Sequence, residues 1–375
     1  MSSPIPDYPL RALNRELARH YAGRRVLVTG HTGFKGSWLC EWLLHLGAEV
    51  YGFGLEPPTD PSLFNLLSLS TRIHTHQIGD IRDLKTVKKS VKETKPDYVF
   101  HLAAQPLVRA SYQNPIETWE TNVIGSINVM EAVRESLDKC SVLMITTDKC
   151  YRNTESTFGY VESDPLGGND PYSSSKAAAE LSIHSWIHSF FTRLKGIKVA
   201  SARAGNVIGG GDWALDRIVP DCVRALSQGI SISVRNPASI RPFQHVLEPL
   251  SGYLWLAAIL PLQNGNDYTE YQSFNFGPKA ESHRSVSELV ETMLNYWPGT
   301  WNNTADRTPL HESNVLRLNI SKAQRLLGWQ PKWSFIEAVE KTTFWYRKFN
   351  ESATTSTMSI QSLVIRDIID YANEF

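Results

Sequence analysis

The sequence predicts an α/β protein: a doubly wound parallel sheet with a smaller, interleaved C-terminal substrate lobe. Three observations predict it. From about residue 24 to about 203, short β-rich runs alternate with amphipathic helical segments. Several of those runs are apolar nearly throughout, as strands are when helices cover both faces of a sheet. Past 203 the alternation gives way to irregular sequence rich in Gly, Pro, Arg and Trp. The first two imply βαβ units, and the third marks a lobe that closes over the first.

Taken in order, "RRVLVTG" is the first strand and "FKGSWLCEWLLHLG" the helix it feeds. "AEVYGFGL" and "RIHTHQIGD" are the second and third strands. The latter alternates as a half-covered strand does, so His74 and His76 read as surface or hydrogen-bonded residues. "DLKTVKKSVKET" is a helix, "PDYVFHLAA" the fourth strand, and "PIETWETNVIGSINVMEAVRESL" the next helical stretch. "SVLMITTD" is the fifth strand, "PYSSSKAAAELSIHSWIHSFFTRL" a long helix, and "IKVASARAG" the sixth strand. "FNFGP" reads as a strand returning to the main sheet, so the lobes interleave. "LSGYLWLAAILPL" is too short to span a bilayer and reads as a buried helix. The expected organisation is a dinucleotide-binding domain over 22–204, with strands returning from about 238–277. A substrate lobe spans 205–237 and 278–350. Residues 351–375 form a tail: "NESATTSTMS" resembles a linker, and the amphipathic end could fray or contact a neighbouring subunit.

The 375 residues suffice for an ample core, and 38 basic residues balance 38 acidic ones. Zero net charge argues against nucleic acid as a partner. The opening residues lack the apolar run of a signal peptide, and four singly placed cysteines have neither metal nor redox spacing. A reduced, cytoplasmic protein without a membrane partner is expected. His184 and His188 share a helix face, but two histidines without a third ligand give no metal site, and none is expected.

Gly30, Gly33 and Gly36 lie between the first strand and its helix. Glycines there allow a tight turn, let a pyrophosphate reach the backbone, and seat it on the free N–H groups of the helix start. A nucleoside-triphosphate loop would need Gly-Lys-Ser/Thr, whereas Lys35 precedes Gly36, so that alternative fails. A Rossmann-type dinucleotide fold stands. The acid that commonly holds the adenosine ribose is missing: Gly54 stands near that point, with Glu56 displaced. NAD is the expected cofactor, and Lys35 keeps its 2′-phosphate form in play.

Tyr172 and Lys176, at i and i+4, project from one face of one helix. A neighbouring ammonium favours a phenolate, so the pair is expected to lower the phenol's pKa and make a base of it. The glycine turn, the hydroxyl residues ending the fifth strand and YxxxK together resemble the extended short-chain dehydrogenase/reductase family. The resemblance covers most of 24–345. It implies a triad of Thr147, Tyr172 and Lys176 that removes a sugar hydroxyl proton as hydride leaves for NAD. It also implies cofactor contacts from Gly30, Thr32, Gly33, Phe34, Lys35 and Gly36. Further contacts would come from Asp80 and Ile81, from Leu102, Ala103, Ala104 and Gln105, and from Asn122 and Thr146.

Asp148 and Lys149 follow the triad threonine. The nucleotide-sugar 4,6-dehydratases of the family carry an acid there and usually a Glu base after it; C4 epimerases lack the pair. The Asp-Lys variant, with "GHTGFKGSWL", "AAQPLVRASYQNP" and "GGGDWALDRIVPD", resembles the dehydratases that take CDP-glucose, and implies that substrate. No motif spells out a cytosine pocket. Asp148 would protonate the departing C6 hydroxyl. Lys149 would either take the C5 proton, given a depressed pKa, or stay charged and orient groups. A C4 epimerase or another NAD-linked nucleotide-sugar oxidoreductase is the alternative, and a non-catalytic scaffold a third. Asn206, Arg217, Arg235, Arg241 and His245 are the expected substrate contacts, with arginines suited to a diphosphate. "GGGDW" offers backbone to a ligand. Relatives dimerise through helices near 115–137 and 170–194, so a homodimer, or a tetramer, is implied.

Overall fold

Arg25–Thr29 forms β1, and four of its five residues are buried, which is why it reads as an unbroken apolar run. Glu49–Gly54 (β2), Thr75–Ile78 (β3), Tyr98–His101 (β4), Cys140–Ile145 (β5), Ile197–Ala204 (β6) and Ser273–Phe276 (β7) join it in one sheet. The order is β7-β6-β5-β4-β1-β2-β3, and every neighbouring pair is parallel. All six strands expected before 204 are present, and the FNFGP segment does return, against β6. The order reverses between β1 and β4, which opens a crevice at the carboxyl ends of β1, β4 and β5. The computed structural model describes residue 8 and residues 12–154, 158–263, 266–304, 316–352 and 359–373; most of the expected linker lies outside these.

Within 238–277 only β7 joins the sheet. Ile240–Pro242 pairs with His283–Ser285, and Gln244–His245 with Val207–Ile208, in short ladders of the second lobe. Pro242 lacks the N–H that a central strand would need.

Five helices matter below: α1 (Leu13–Tyr21), α2 (Phe34–His45), α3 (Pro171–Trp186), α4 (Leu247–Ile259) and α5 (Ile360–Asn373). The sequence reading did not anticipate α1. It buries Leu13, Leu17 and Tyr21 at four-residue steps, and the Tyr21 hydroxyl donates to Leu254 O at 2.7 Å. Every residue of α4 is buried, as its composition implied.

The tail's helix is ordered against the body of the fold. α5 packs on its own chain, burying Leu363, Val364, Ile368 and Tyr371. Tyr371 Oη donates to Glu248 Oε2 at 2.7 Å, and Glu248 also accepts from the amides of Trp333 (2.6 Å) and Lys332 (3.0 Å). Burial pushes this carboxyl up to about 7, despite those donors. Because the folded value exceeds the unfolded one, the native chain holds the extra proton. Its stabilising contribution is therefore complete below the ordinary carboxyl value of 4.5 and is lost as pH rises through 7. Glu248→Gln should flatten that slope, which amounts to a loss on the order of 3 kcal/mol in the wild type. Thermal melts across pH 4–8 check it.

Candidate active site

The turn from Thr29 into the first turn of α2 is built around two glycines, Gly30 and Gly36. Gly30 has φ +74°, and a Cβ there would meet the Ala103 amide nitrogen at 2.6 Å. A Cβ on Gly36 would meet Gly30 O at 2.2 Å. Both positions therefore exclude side chains, so β1, the β4 exit and α2 close on one another. Gly33 caps α2 without any side-chain acceptor, which leaves the first N–H groups of the helix facing the crevice. Thr32 Oγ1 donates to Leu55 O at 2.8 Å and pins the loop to the end of β2. A dinucleotide pyrophosphate fits this cradle.

Lys35 does not reach the adenosine end. Its ammonium lies 5.8 Å from the Tyr253 ring centre and feels Arg217, Lys176 and Asp148. Burial, reinforced by the two cations, lowers it to about 8. A 2′-phosphate role for Lys35 thus has no geometric support. Asp80 follows β3, with its carboxylate held by Arg82 at 2.6 and 2.9 Å, while Ile81 is buried against Gly125. Leu102 continues β4 beside β1, its amide donating to Thr29 O at 3.0 Å. Asn122 is buried and accepts from the Gln105 amide at 2.9 Å. It donates to Ser175 Oγ at 2.9 Å, and Ser175 donates to Tyr172 O at 2.7 Å. The loop after β4 is so tied to the helix of the YxxxK motif.

That helix, α3, is capped by Asp170, whose side chain accepts from the Ser173 amide at 2.9 Å. Ser111 accepts from the Tyr172 amide at 3.2 Å. Tyr172 and Lys176 are both buried, 7 % and 6 % exposed, and face the end of β5. There Thr147 caps a short turn, and its hydroxyl donates to Asp148 Oδ1 at 2.9 Å. Asp148 is 2 % exposed, and its Oδ2 is buried without a partner. Lys149 is part-exposed in the same turn and has no carboxylate partner among the described residues.

The simple expectation for Tyr172 needs correcting. Burial dominates and pushes its phenol up to about 12. Hydrogen bonding with Thr147 and the charge of Arg217 act downward, whereas Asp148 and Asp170 act upward. Lys176 is itself drawn down by burial to about 8, against Glu180. Burial therefore favours a protonated phenol beside a lysine close to losing its charge.

The second lobe brings in some expected residues and not others. Arg217 is paired with Asp212 at 2.8 Å and lies close enough to act on Tyr172 and Lys35. Arg235 is paired with Asp216 at 2.8 Å and lines a cavity of about 650 Å³ with Asp221, Arg224 and Ser233. Asn206 follows β6, its carbonyl accepting from the Gln244 amide at 3.1 Å. Arg241 is buried, with Nη1 donating to Ile240 O at 3.0 Å. His245 is corrected: it is 1 % exposed and lodged between the rings of Trp38 (5.8 Å) and Trp333 (4.7 Å). Burial holds it neutral, at about 3. It is a core residue. Thr146 likewise turns its hydroxyl away, donating to Glu180. The GGGDW glycines admit the chain itself rather than a ligand. A Cβ on Gly210 would meet the Trp345 ring at 2.0 Å, and Gly210 O accepts from Trp38 Nε1 at 2.9 Å. The His184 and His188 rings lie 4.2 Å apart, tilted at 47° to each other, and no metal-holding group of His, Cys, Asp or Glu occurs among the described residues.

Three residues at the site escape sequence reading. Tyr253, inside the apolar α4, buries an unpartnered hydroxyl within the field of Asp148. Gly205 must lack a side chain, since a Cβ there would lie 2.4 Å from Asp148 Oδ2. Asp216, at φ +60°, is within 3.8 Å of Arg109 on the opposite lobe as well as being bound to Arg235. Only an acid's position in "DWALDR" hinted at the last.

Comparison with known proteins places this geometry. A family profile described as GDP-mannose 4,6 dehydratase matches residues 27–342. A CDP-glucose 4,6-dehydratase from Salmonella typhimurium is 47 % identical over 87 % of this chain and 91 % of its own length. A CDP-paratose 2-epimerase from Salmonella typhi is 28 % identical over 86 % of this chain and 98 % of its own. Among solved structures, the dTDP-glucose 4,6-dehydratase DesIV from Streptomyces venezuelae, with NAD and TYD bound, superposes with a TM-score of 0.73. It is 23 % identical, over 88 % of this chain and 98 % of that one. At that identity it speaks for the fold alone.

Proposed function

This chain belongs to the GDP-mannose 4,6 dehydratase family, and on that premise we propose that it removes water from CDP-glucose to give CDP-4-keto-6-deoxyglucose, with NAD as resident cofactor. One observation carries the dehydratase reading: a buried carboxyl with a free oxygen, Asp148 Oδ2, beside the Thr147, Tyr172 and Lys176 face. A C4 epimerase has no use for such an acid. The 47 % identical relative supports cytosine as the base.

The glycine turn would hold the pyrophosphate, and Lys176 the nicotinamide ribose. Bound NAD supplies reversible hydride storage between C4 and C6 of the sugar. Ionised, Tyr172 accepts the C4 hydroxyl proton, the Lys176 ammonium countering the phenolate's charge. The C4 ketone acidifies the C5 proton. Asp148, buried with one oxygen unpartnered, then protonates the C6 hydroxyl as it leaves. Arg217, Arg235 and Arg241 take the diphosphate.

Lys149 stands where relatives carry a base. Replacing it with Met should abolish exchange of the C5 proton with solvent; full exchange would reduce it to an orienting charge. Incubation with CDP-glucose, followed by the alkaline absorbance of a 4-keto-6-deoxy sugar, tests the whole reading. A purely C4-epimerised product rejects it.

A cytoplasmic homodimer completes the proposal. Four free, buried cysteines suit a reducing compartment. Ile116, Trp119 and Leu181, exposed on the helices at 115–136 and on α3, offer the two copies an apolar face. The product would feed enzymes that make deoxy sugars of surface polysaccharide such as O-antigen.

A further inference from the structure

Behind the catalytic face lies a buried ion pair with no part in the chemistry above. Glu180, one turn past Lys176 on α3, is 3 % exposed, and Arg203 on β6 is 4 % exposed. Arg203 Nη2 lies 2.7 Å from Glu180 Oε2. The same carboxylate accepts from Ser201 Oγ at 2.9 Å and from the Thr146 hydroxyl. Arg203 Nη1 donates to Tyr151 Oη at 2.7 Å, and Tyr151 donates to Asn275 Oδ1 at 2.7 Å.

Stability alone gives little reason for such a pair, because apolar replacement of a buried ion pair often leaves a protein no less stable. Its position gives a better one. Thr146 precedes Thr147 and Asp148 in the chain, and Tyr151 follows them, so the pair grips both sides of the turn that carries the acid. Glu180 shares α3 with Tyr172 and Lys176 at four-residue steps, on the same helix face.

We propose that Glu180 and Arg203 are positioning residues of the reaction: they fasten the Thr147–Asp148 turn to the helix bearing Tyr172 and Lys176, and they set an anion one turn behind the Lys176 ammonium. The groups that share a field with Lys176 come from four places: Glu180 on α3, Cys150 after β5, His101 on β4 and Lys35 in the glycine turn. Burial keeps His101 neutral, at about 3, and raises the Cys150 thiol, so neither supplies charge. Glu180 is the carboxylate among them, and it opposes the burial that would strip Lys176 of its proton. Arg203 in turn keeps Glu180 ionised.

Two variants of the full chain test this: Glu180→Gln, and Glu180→Gln combined with Arg203→Met. The second leaves no stranded buried charge, so it folds where the first fails to. Carbon-13 resonances of the lysine side chains are followed against pH without cofactor or substrate. The Lys176 midpoint should fall by about one pH unit in either variant. With CDP-glucose, kcat should drop about 100-fold while KM changes little, as loss of alignment without loss of binding requires. A folded double variant with an unshifted midpoint and wild-type kcat overturns the proposal. The kinetic arm rests on the dehydratase reading and the resonance arm does not. If the wild type leaves CDP-glucose untouched, that reading fails, and the Lys176 midpoint still decides the role of the pair.

Discussion

Tyr172→Phe should lower kcat by about 10³-fold or more with little change in KM, and should leave the fold intact. The ring is buried and its hydroxyl is the only group removed, so packing is kept. Without that oxygen nothing else on the face can take the C4 proton. Lys176 lies on the same helix, but it is the counter-charge, and Thr147 already donates to Asp148. The pH dependence should carry two opposed signatures. Burial holds the phenol up at about 12, so its readiness to ionise rises with pH throughout the working range. Lys176, lowered to about 8, loses its ammonium over the same range, and the phenolate loses its partner with it. Turnover should therefore climb toward neutrality and fall above about pH 8, with the descending limb belonging to lysine rather than tyrosine. Steady-state kinetics from pH 6 to 10 check this. A Phe variant that keeps wild-type kcat removes Tyr172 from the chemistry.

The features legible in the sequence are those that one element encodes by itself. A strand buried on both faces must be apolar along its length, and the half-covered edge strand Thr75–Ile78 alternates instead, so six strands and their order along the chain can be read directly. Tyr172 and Lys176 are four residues apart on a helix, so their shared face follows from helical geometry. Asp148 is found because it adjoins Thr147. What stays hidden depends on partners brought from far along the chain. Glycines at 209–211 announce that something comes close, but not that it is Trp345. His245 looks available because histidine is polar, and only the approach of Trp38 and Trp333 makes it core. Tyr253 is one more apolar residue of a buried helix until the fold sets it near Lys35 and Asp148. The pKa of Tyr172 is misjudged for the same reason. Spacing reveals the neighbouring ammonium, but desolvation, which outweighs it, belongs to the whole fold.

Asp148→Asn should separate the two halves of the reaction. Asparagine has nearly the same shape and can still accept from Thr147 Oγ1, but it has no proton to give a leaving hydroxyl. Overall turnover should fall by about 10³-fold, which corresponds to about 4 kcal/mol of barrier. The first half depends on Tyr172 and Lys176 and should survive, so quenched single turnovers should contain a 4-keto sugar that keeps its C6 hydroxyl. Nuclear magnetic resonance of the quenched sugar distinguishes that species from the 6-deoxy product. Tyr172→Phe, by contrast, should yield neither. Gly205 supplies an independent check that touches no titratable group. A methyl there would lie 2.4 Å from Asp148 Oδ2, closer than any contact allows, so Gly205→Ala must push the carboxyl out of place. It should then reproduce the Asp148→Asn phenotype, oxidised at C4 and stalled before water leaves. Normal elimination in both variants would mean that the proton for the C6 hydroxyl comes from elsewhere, and the acid beside the triad would lose its role.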